Sequence, residues 1–232
     1  MSSVKTSIST SNNTISATAK LWEPKDHIPN SVKEFLDLTQ PNYLLGLLNV
    51  IQQLKIQKRT GWLDYGMSVA ESESISDHMY RMSIISMLIS NPNVNRDKCM
   101  RIALVHDMAE AIVGDITPVD AIGKEEKHRR EWETMKYVCN ELIKPVSEIA
   151  AREIMEAWLD YERIESLEAR YVKDIDKYEL LVQCFEYEKK HNGKLNFQDF
   201  FSTVENIKTD EVIKWTKELI SLREKFFASL YK

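Results

Sequence analysis

The feature that most limits the fold of this chain is a succession of segments whose apolar residues recur every three or four positions, separated by helix-stopping residues. From Tyr43 onward, Leu44, Leu47, Leu48, Ile51 and Leu54 keep the spacing of a helix that buries one face, and the run ends at the turn Arg59-Thr60-Gly61. Ser74-Ile75-Ser76-Asp77 offers N-caps for a second helix carrying Met79, Met82, Ile85 and Leu88, which Asn91-Pro92 ends. A third, over about 96–113, presents Met100, Ala103, Leu104 and Met108 and runs into Gly114. In the charged stretch 124–144, Trp132, Met135, Val138, Cys139 and Leu142 share one face. Helices over 146–159, 167–190 and 210–230 follow, the last packing Val212, Ile213, Leu219, Ile220, Leu222 and Phe226. No strand-like alternation persists beyond four residues, so the expected architecture is all-α.

Composition narrows the class further. With 232 residues, 43% hydrophobic, 6 Gly and 6 Pro, the chain is globular and long enough for one large domain or two small ones. No apolar run reaches the ~18 residues of a membrane span. A net charge of −5 without a basic stripe argues against nucleic-acid backbones as partners, while leaving room for a local basic pocket that takes one small phosphorylated ligand. Cys99, Cys139 and Cys184 are odd in number and widely spaced, which fits free thiols in a reducing compartment, the cytosol or the nucleus. Residues 1–20 are half Ser or Thr, hold two lysines and no acid, and read as a disordered tail. Pro24, Pro29 and Pro41 break the lead-in that follows, so 1–40 stands as tail and lead-in draped on the domain.

Five histidines can be weighed singly. His27, His128 and His191 read as solvated or capping residues. His78 and His106 sit within apolar helical patterns, and His106 is followed by Asp107 and, three residues later, Glu110. On a helix these three converge on one side. Burying carboxylates is costly unless they are paired or ligate a cation, so His78, His106, Asp107 and Glu110 read either as a divalent metal site lacking one oxygen ligand or as a buried salt-bridged cluster.

Ser76-Asp77-His78, Leu104-Val105-His106-Asp107-Met108-Ala109-Glu110, Gly114-Asp115 and Val172-Lys173-Asp174-Ile175-Asp176-Lys177 stand in the order of the H…HD…D signature. With Arg59-Thr60-Gly61-Trp62 upstream, the chain resembles the HD-domain metal-dependent phosphohydrolases, in their 5′-deoxynucleotidase branch. The resemblance implies one helical-bundle domain over 41–232, with its motif core in 42–190 and additional C-terminal helices. It implies that His78, His106, Asp107 and Asp176 hold a divalent cation such as Mn²⁺, Co²⁺ or Mg²⁺. Asp174 competes with Asp176 for the last place, but using it would turn the helix by about 200° and expose the apolar neighbours of Ile175.

Further roles follow from the same resemblance. Glu110 is the acid that protonates the leaving 5′-oxygen. Asp115 orients water or joins Glu110 and the Ile116 carbonyl around a second cation. Arg59 takes the phosphate, and Trp62 packs beside the sugar, favouring deoxyribose. Lys173 and Arg81 lie close enough to reach phosphate but read equally as ion-paired. The implied activity is hydrolysis of deoxyribonucleoside 5′-monophosphates; a phosphodiesterase or triphosphohydrolase, or a nucleotide-binding scaffold without catalysis, are the alternatives. A homodimer is expected, with faces near Trp158 and Trp215 as candidate contacts.

Overall fold

The structure, a computed structural model, describes residues 21–230; the Ser/Thr-rich stretch 1–20 lies outside the described residues. The helices are α1 (Asn30–Leu36), α2 (Tyr43–Ile56), α3 (Thr60–Asp64), α4 (Ile75–Met87), α5 (Arg96–Val105), α6 (Glu110–Val113), α7 (Lys124–Tyr137), α8 (Glu148–Arg163), α9 (Leu167–Lys190) and α10 (Asp210–Leu230). Among the described residues no strand forms, and one isolated bridge joins Lys58 to Ser74. Helix starts follow local chemistry. The side chains of Asn42, Ser74, Asn95, Ser147 and Ser166 accept from backbone N–H groups of the first turn. Ser74 forms a full capping box with Asp77.

Two apolar cores result. One joins Met82, Ile102, Ile175, Leu181 and Val212 from α4, α5, α9 and α10. The other joins Val50, Leu54, Met135, Leu142 and Trp158 around α2, α7 and α8. Fully burying each such side chain contributes about 1.5–3 kcal/mol. Helices α4 and α5 supply both cores, Met79 and Val105 to one and Met82 and Ile102 to the other. His78 and His106 therefore sit on the helix pair that the two cores share.

Several apolar residues assigned to buried stripes face solvent instead: Leu44, Leu48, Leu88, Leu104 and Leu222 are all exposed. On α2 the buried arc centres on Gly46, Val50 and Leu54, because Gly46 lets Leu36 of α1 come within 3.0 Å of where a Cβ would stand. Trp158 is buried beside Trp132, so it cannot be a dimer contact. The three cysteines are free and buried.

The helix expected over 96–113 is broken at the positions that carry the motif. α5 ends at Val105, and Met108 N, Glu110 N and Ala111 N donate to residues three back, not four. That tighter winding lets the neighbours His106 and Asp107, which an α-helix would set about 100° apart, turn to a common centre. The segment after α9, expected as a simple cap at His191-Asn192-Gly193, leads into a 3₁₀ stretch, Gln198–Asn206, that the apolar spacing did not signal. Phe197, just before it, and Phe200 within it pack on Trp62.

Candidate metal centre

His78 is fully buried on α4, and His106 nearly so at the end of α5, their ring centroids 5.5 Å apart. Each ring is tied at Nδ1. His106 Nδ1 lies 2.9 Å from the Ala103 carbonyl and His78 Nδ1 lies 2.5 Å from Glu179 Oε2. An Nδ1–H donated to these acceptors leaves the Nε2 lone pair facing inward on both rings. His78 Nε2 meets Asp176 Oδ1 at 3.2 Å, and His106 Nε2 meets Asp107 Oδ2 at 3.0 Å. Both Nε2 atoms are buried without a hydrogen-bond partner. Lone pairs aimed at carboxylate oxygens repel unless a proton or cation lies between them. Potential ligand atoms of His78, His106 and Asp107 lie within 4.8 Å of one another, and Asp176 completes an N₂O₂ set suited to a divalent first-row cation or Mg²⁺. The donor set thus fits such an ion.

The electrostatics agree with that chemistry. Burial pushes the Asp176 carboxyl up, but His78, His106 and Arg59 outweigh it and hold the group ionised well below the usual carboxylate range. Asp107, opposed by burial and favoured by His106, His78 and Arg59, falls to about 2. Tyr161, which the sequence reading missed, donates its hydroxyl to Asp176 Oδ2 at 2.8 Å and orients that carboxylate. Asp174, two residues earlier on α9, turns away: its Oδ2 accepts from Lys208 N at 2.9 Å and Thr209 N at 2.6 Å, anchoring the start of α10.

Glu110 lies at the first turn of α6, 5% exposed, with Oε2 buried and unpartnered. Burial first, then the carboxylates of Asp107 and Asp115, raise its pKa well above the ordinary value, against the pull of Arg59 and Lys127. A carboxyl in that setting holds its proton to higher pH than a free glutamate does. Asp115 follows the left-handed Gly114 (φ +84°) and accepts from Thr60 N at 2.7 Å, which pins the start of α3 and with it Arg59. The Ile116 carbonyl accepts from Lys127 Nζ at 2.8 Å, so the position foreseen for a second cation is already served by an ammonium group.

Arg59 is 16% exposed and held at 3.7 Å from Asp107 Oδ2 and 3.6 Å from Glu73 Oε1. These separations exceed hydrogen-bond length and leave its planar fork free to take an oxyanion. It opens on a cleft of about 490 Å³ whose walls include Trp62, Tyr65, Asp115, Lys127 and Phe200. Trp62 is only 1% exposed. Its Nε1 donates to Glu73 and its ring packs against Tyr187, Phe197 and Phe200, so it backs the cleft wall, with Phe200 tilted against it and Tyr65 against Phe200. Arg81 is committed to Glu179, Gln183 and Glu186, and Lys173 lies 3.5 Å over the Tyr161 ring. His27 stacks on Trp22, and His128 and His191 pair with Glu162 and Glu71, all outside this centre.

Residues 51–216 match the family model described as "HD domain". The chain is 66% identical to 5′-deoxynucleotidase YBR242W of Saccharomyces cerevisiae over 90% of its own length and 87% of that protein. It is 45% identical to human 5′-deoxynucleotidase HDDC2, covering 76% of this chain and 84% of that one. Among solved structures it superposes on HD domain-containing protein YGK1 with a TM-score of 0.70 and 50% identity, over 89% of this chain and 99% of that one.

Proposed function

The chain belongs to the HD-domain family and is a 5′-deoxynucleotidase, and from that premise we propose how its residues hydrolyse deoxyribonucleoside 5′-monophosphates to nucleoside and phosphate. The observation that carries the assignment of roles is the pair of buried imidazoles, each tied at Nδ1 and aimed through Nε2 at a carboxylate, beside the buried Glu110 carboxyl whose Oε2 has no partner and whose pKa is raised. His78, His106, Asp107 and Asp176 would hold one divalent cation, Mn²⁺, Co²⁺ or Mg²⁺. When bound, that ion supplies Lewis acidity to a phosphoryl oxygen and a strongly acidified water.

The protein's own groups do the rest. Arg59 receives the phosphate through its fork, and Asp115, by holding Thr60 N, keeps that arginine at the mouth of the centre. Glu110 passes its proton to the departing 5′-oxygen, so the nucleoside leaves as a neutral alcohol, and regains a proton from solvent afterwards. The base lies along the wall of Tyr65 and Phe200, which the buried Trp62 backs, so Trp62 limits room on the sugar's 2′ side only through Phe200. Lys127 carries positive charge beside Glu110 and Asp115; a second cation on Glu110, Asp115 and the Ile116 carbonyl would have to displace it.

Nothing in this reading needs a nucleic-acid or membrane partner, and no described helix is long and apolar enough to cross a membrane. The compartment is proposed as the cytoplasm, from the free buried thiols. A homodimer is proposed through the outward stripe of α4, where Tyr80, Ile84, Met87 and Leu88 are exposed together. Light scattering of Leu88→Glu tests this: a mass equal to wild type's would dismiss the stripe. The activity is tested by phosphate release from the Mn²⁺-, Co²⁺- or Mg²⁺-loaded enzyme. Deoxyribonucleoside monophosphates should turn over fastest among these, ribonucleoside monophosphates, deoxynucleoside triphosphates and cyclic dinucleotides. Preference for a triphosphate or cyclic substrate would refute the assignment.

A further inference from the structure

Behind His78, on the side away from the cleft, lies a second set of buried charges that the reaction as described does not use. Glu179, one turn along α9 from Asp176, is 0% exposed. Its Oε2 lies 2.5 Å from His78 Nδ1, while its Oε1 takes Arg81 Nε at 2.6 Å and Arg81 Nη2 at 2.5 Å. Arg81, one turn along α4 from His78, also holds Gln183 at 2.5 Å and Glu186 at 2.8 Å, so it is clamped along α9 and cannot swing into the site. A buried carboxylate is unfavourable without compensation, and this one has a bidentate guanidinium on one oxygen and an imidazole on the other.

Resting on the metal-site reading above, we propose that Glu179 is a positioning residue: it fixes His78 as the Nδ1–H tautomer and turns Nε2 toward the cation, with Arg81 as its counter-ion. The geometry leaves His78 little other choice. Its ring is fully buried, so water cannot supply the Nδ1 acceptor, and turning the ring over would put carbon atoms where both nitrogens stand, leaving Glu179 Oε2 and Asp176 Oδ1 each facing a C–H edge. His106 meets the same need through the Ala103 carbonyl. The two ligands thus differ in kind: one imidazole is backed by a neutral dipole, the other by a full charge that strengthens its donation to a metal. Glu73, His78 and Glu179 also lie close enough to hold an ion among themselves. The Arg81 guanidinium already serves that set, on Glu179 and 3.9 Å from Glu73 Oε2.

The test is the Mn²⁺ dissociation constant, measured by calorimetry on metal-stripped full-length protein, for wild type, Glu179→Gln and Arg81→Met. Glu179→Gln keeps the shape and should weaken Mn²⁺ binding about 10–100-fold. Arg81→Met, which removes the α4–α9 ion pairs but leaves the carboxylate on His78, should stay within about threefold of wild type. Equal losses in the two variants would mean that Glu179 acts only through helix packing, and binding by Glu179→Gln within twofold would overturn the proposal outright. Wild type failing to bind Mn²⁺ would instead refute the metal-site reading beneath it. A measurement on wild type alone guards against a misfolded variant: ¹H–¹⁵N correlation spectra of the Zn²⁺-loaded protein should show His78 protonated at Nδ1 and ligated through Nε2. Ligation through Nδ1 would overturn the proposal.

Discussion

Replacing Glu110 by Gln tests the mechanism most sharply, because the structure sets opposite expectations for rate and stability. The side chain is 5% exposed, its Oε2 has no partner, and Asp107 and Asp115 press on it from the same cluster. Gln keeps its size but has no proton to give a departing alkoxide. Loss of general acid catalysis should lower kcat by about 10²–10⁴-fold, equivalent to ~2.7–5.5 kcal/mol of barrier. A substrate whose leaving group departs as a stable phenolate, such as p-nitrophenyl phosphate, should lose far less.

Stability should move the other way. The folded-state pKa of Glu110 stands above its unfolded value, so the folded protein binds this proton more tightly. Stability is therefore greatest below the unfolded pKa, near 4.5, and declines as pH rises through the folded value. Gln removes that decline, so at pH 8 the variant should melt no lower than wild type. The wild-type kcat profile should carry an alkaline limb from loss of the Glu110 proton, absent in the variant. Steady-state kinetics on both substrates, melting curves and metal analysis decide the matter. A kcat within threefold of wild type, or equal losses on both substrates, would refute the acid role.

Two further substitutions separate site from scaffold. Asp176→Asn should cut bound metal per chain to a small fraction, whereas Asp174→Asn should keep the metal and lower the melting temperature, since it weakens the acceptor for Lys208 N and Thr209 N; the reverse pattern would exchange their roles. Arg223→Met should cost about 3–5 kcal/mol in denaturant unfolding, because Glu188, 0% exposed and gripped by Arg223 through two 2.7 Å bonds, would be left buried with no counter-ion and only the Phe197 N–H bond. Adding Glu188→Leu should recover part of that loss, and an unaffected single variant would show that the pair is not energetically coupled.

Much of this protein was legible from short-range pattern. Helix periods, the cap at Ser74, and the residue types at 78, 106, 107, 110 and 176 are local chemistry, and most helices formed where that chemistry put them, the break after Val105 excepted. The preference for Asp176 over Asp174 came from the resemblance, with helical phase in its favour, since Ile175 is buried between them. What spacing could not show is which side of an amphipathic helix finds a partner. Leu44, Leu88 and Leu104 belong to helical stripes yet face solvent, since burial depends on where neighbouring helices dock.

The surroundings of the centre were decided by contacts between distant segments. Glu179 meets His78 across 101 residues, Lys127 reaches Ile116 from α7, and the aromatic wall on Trp62 comes from beyond residue 196. No spacing rule relates such positions, because their meeting is fixed by the packing of α4 against α9 and of the 3₁₀ segment against α3. The sequence by itself determined an all-helical chain and which residue types are available to the proposed metal centre. Tertiary structure alone decided which nitrogen of His78 and of His106 faces the centre, because only packing supplies the buried acceptors that hold the other nitrogen.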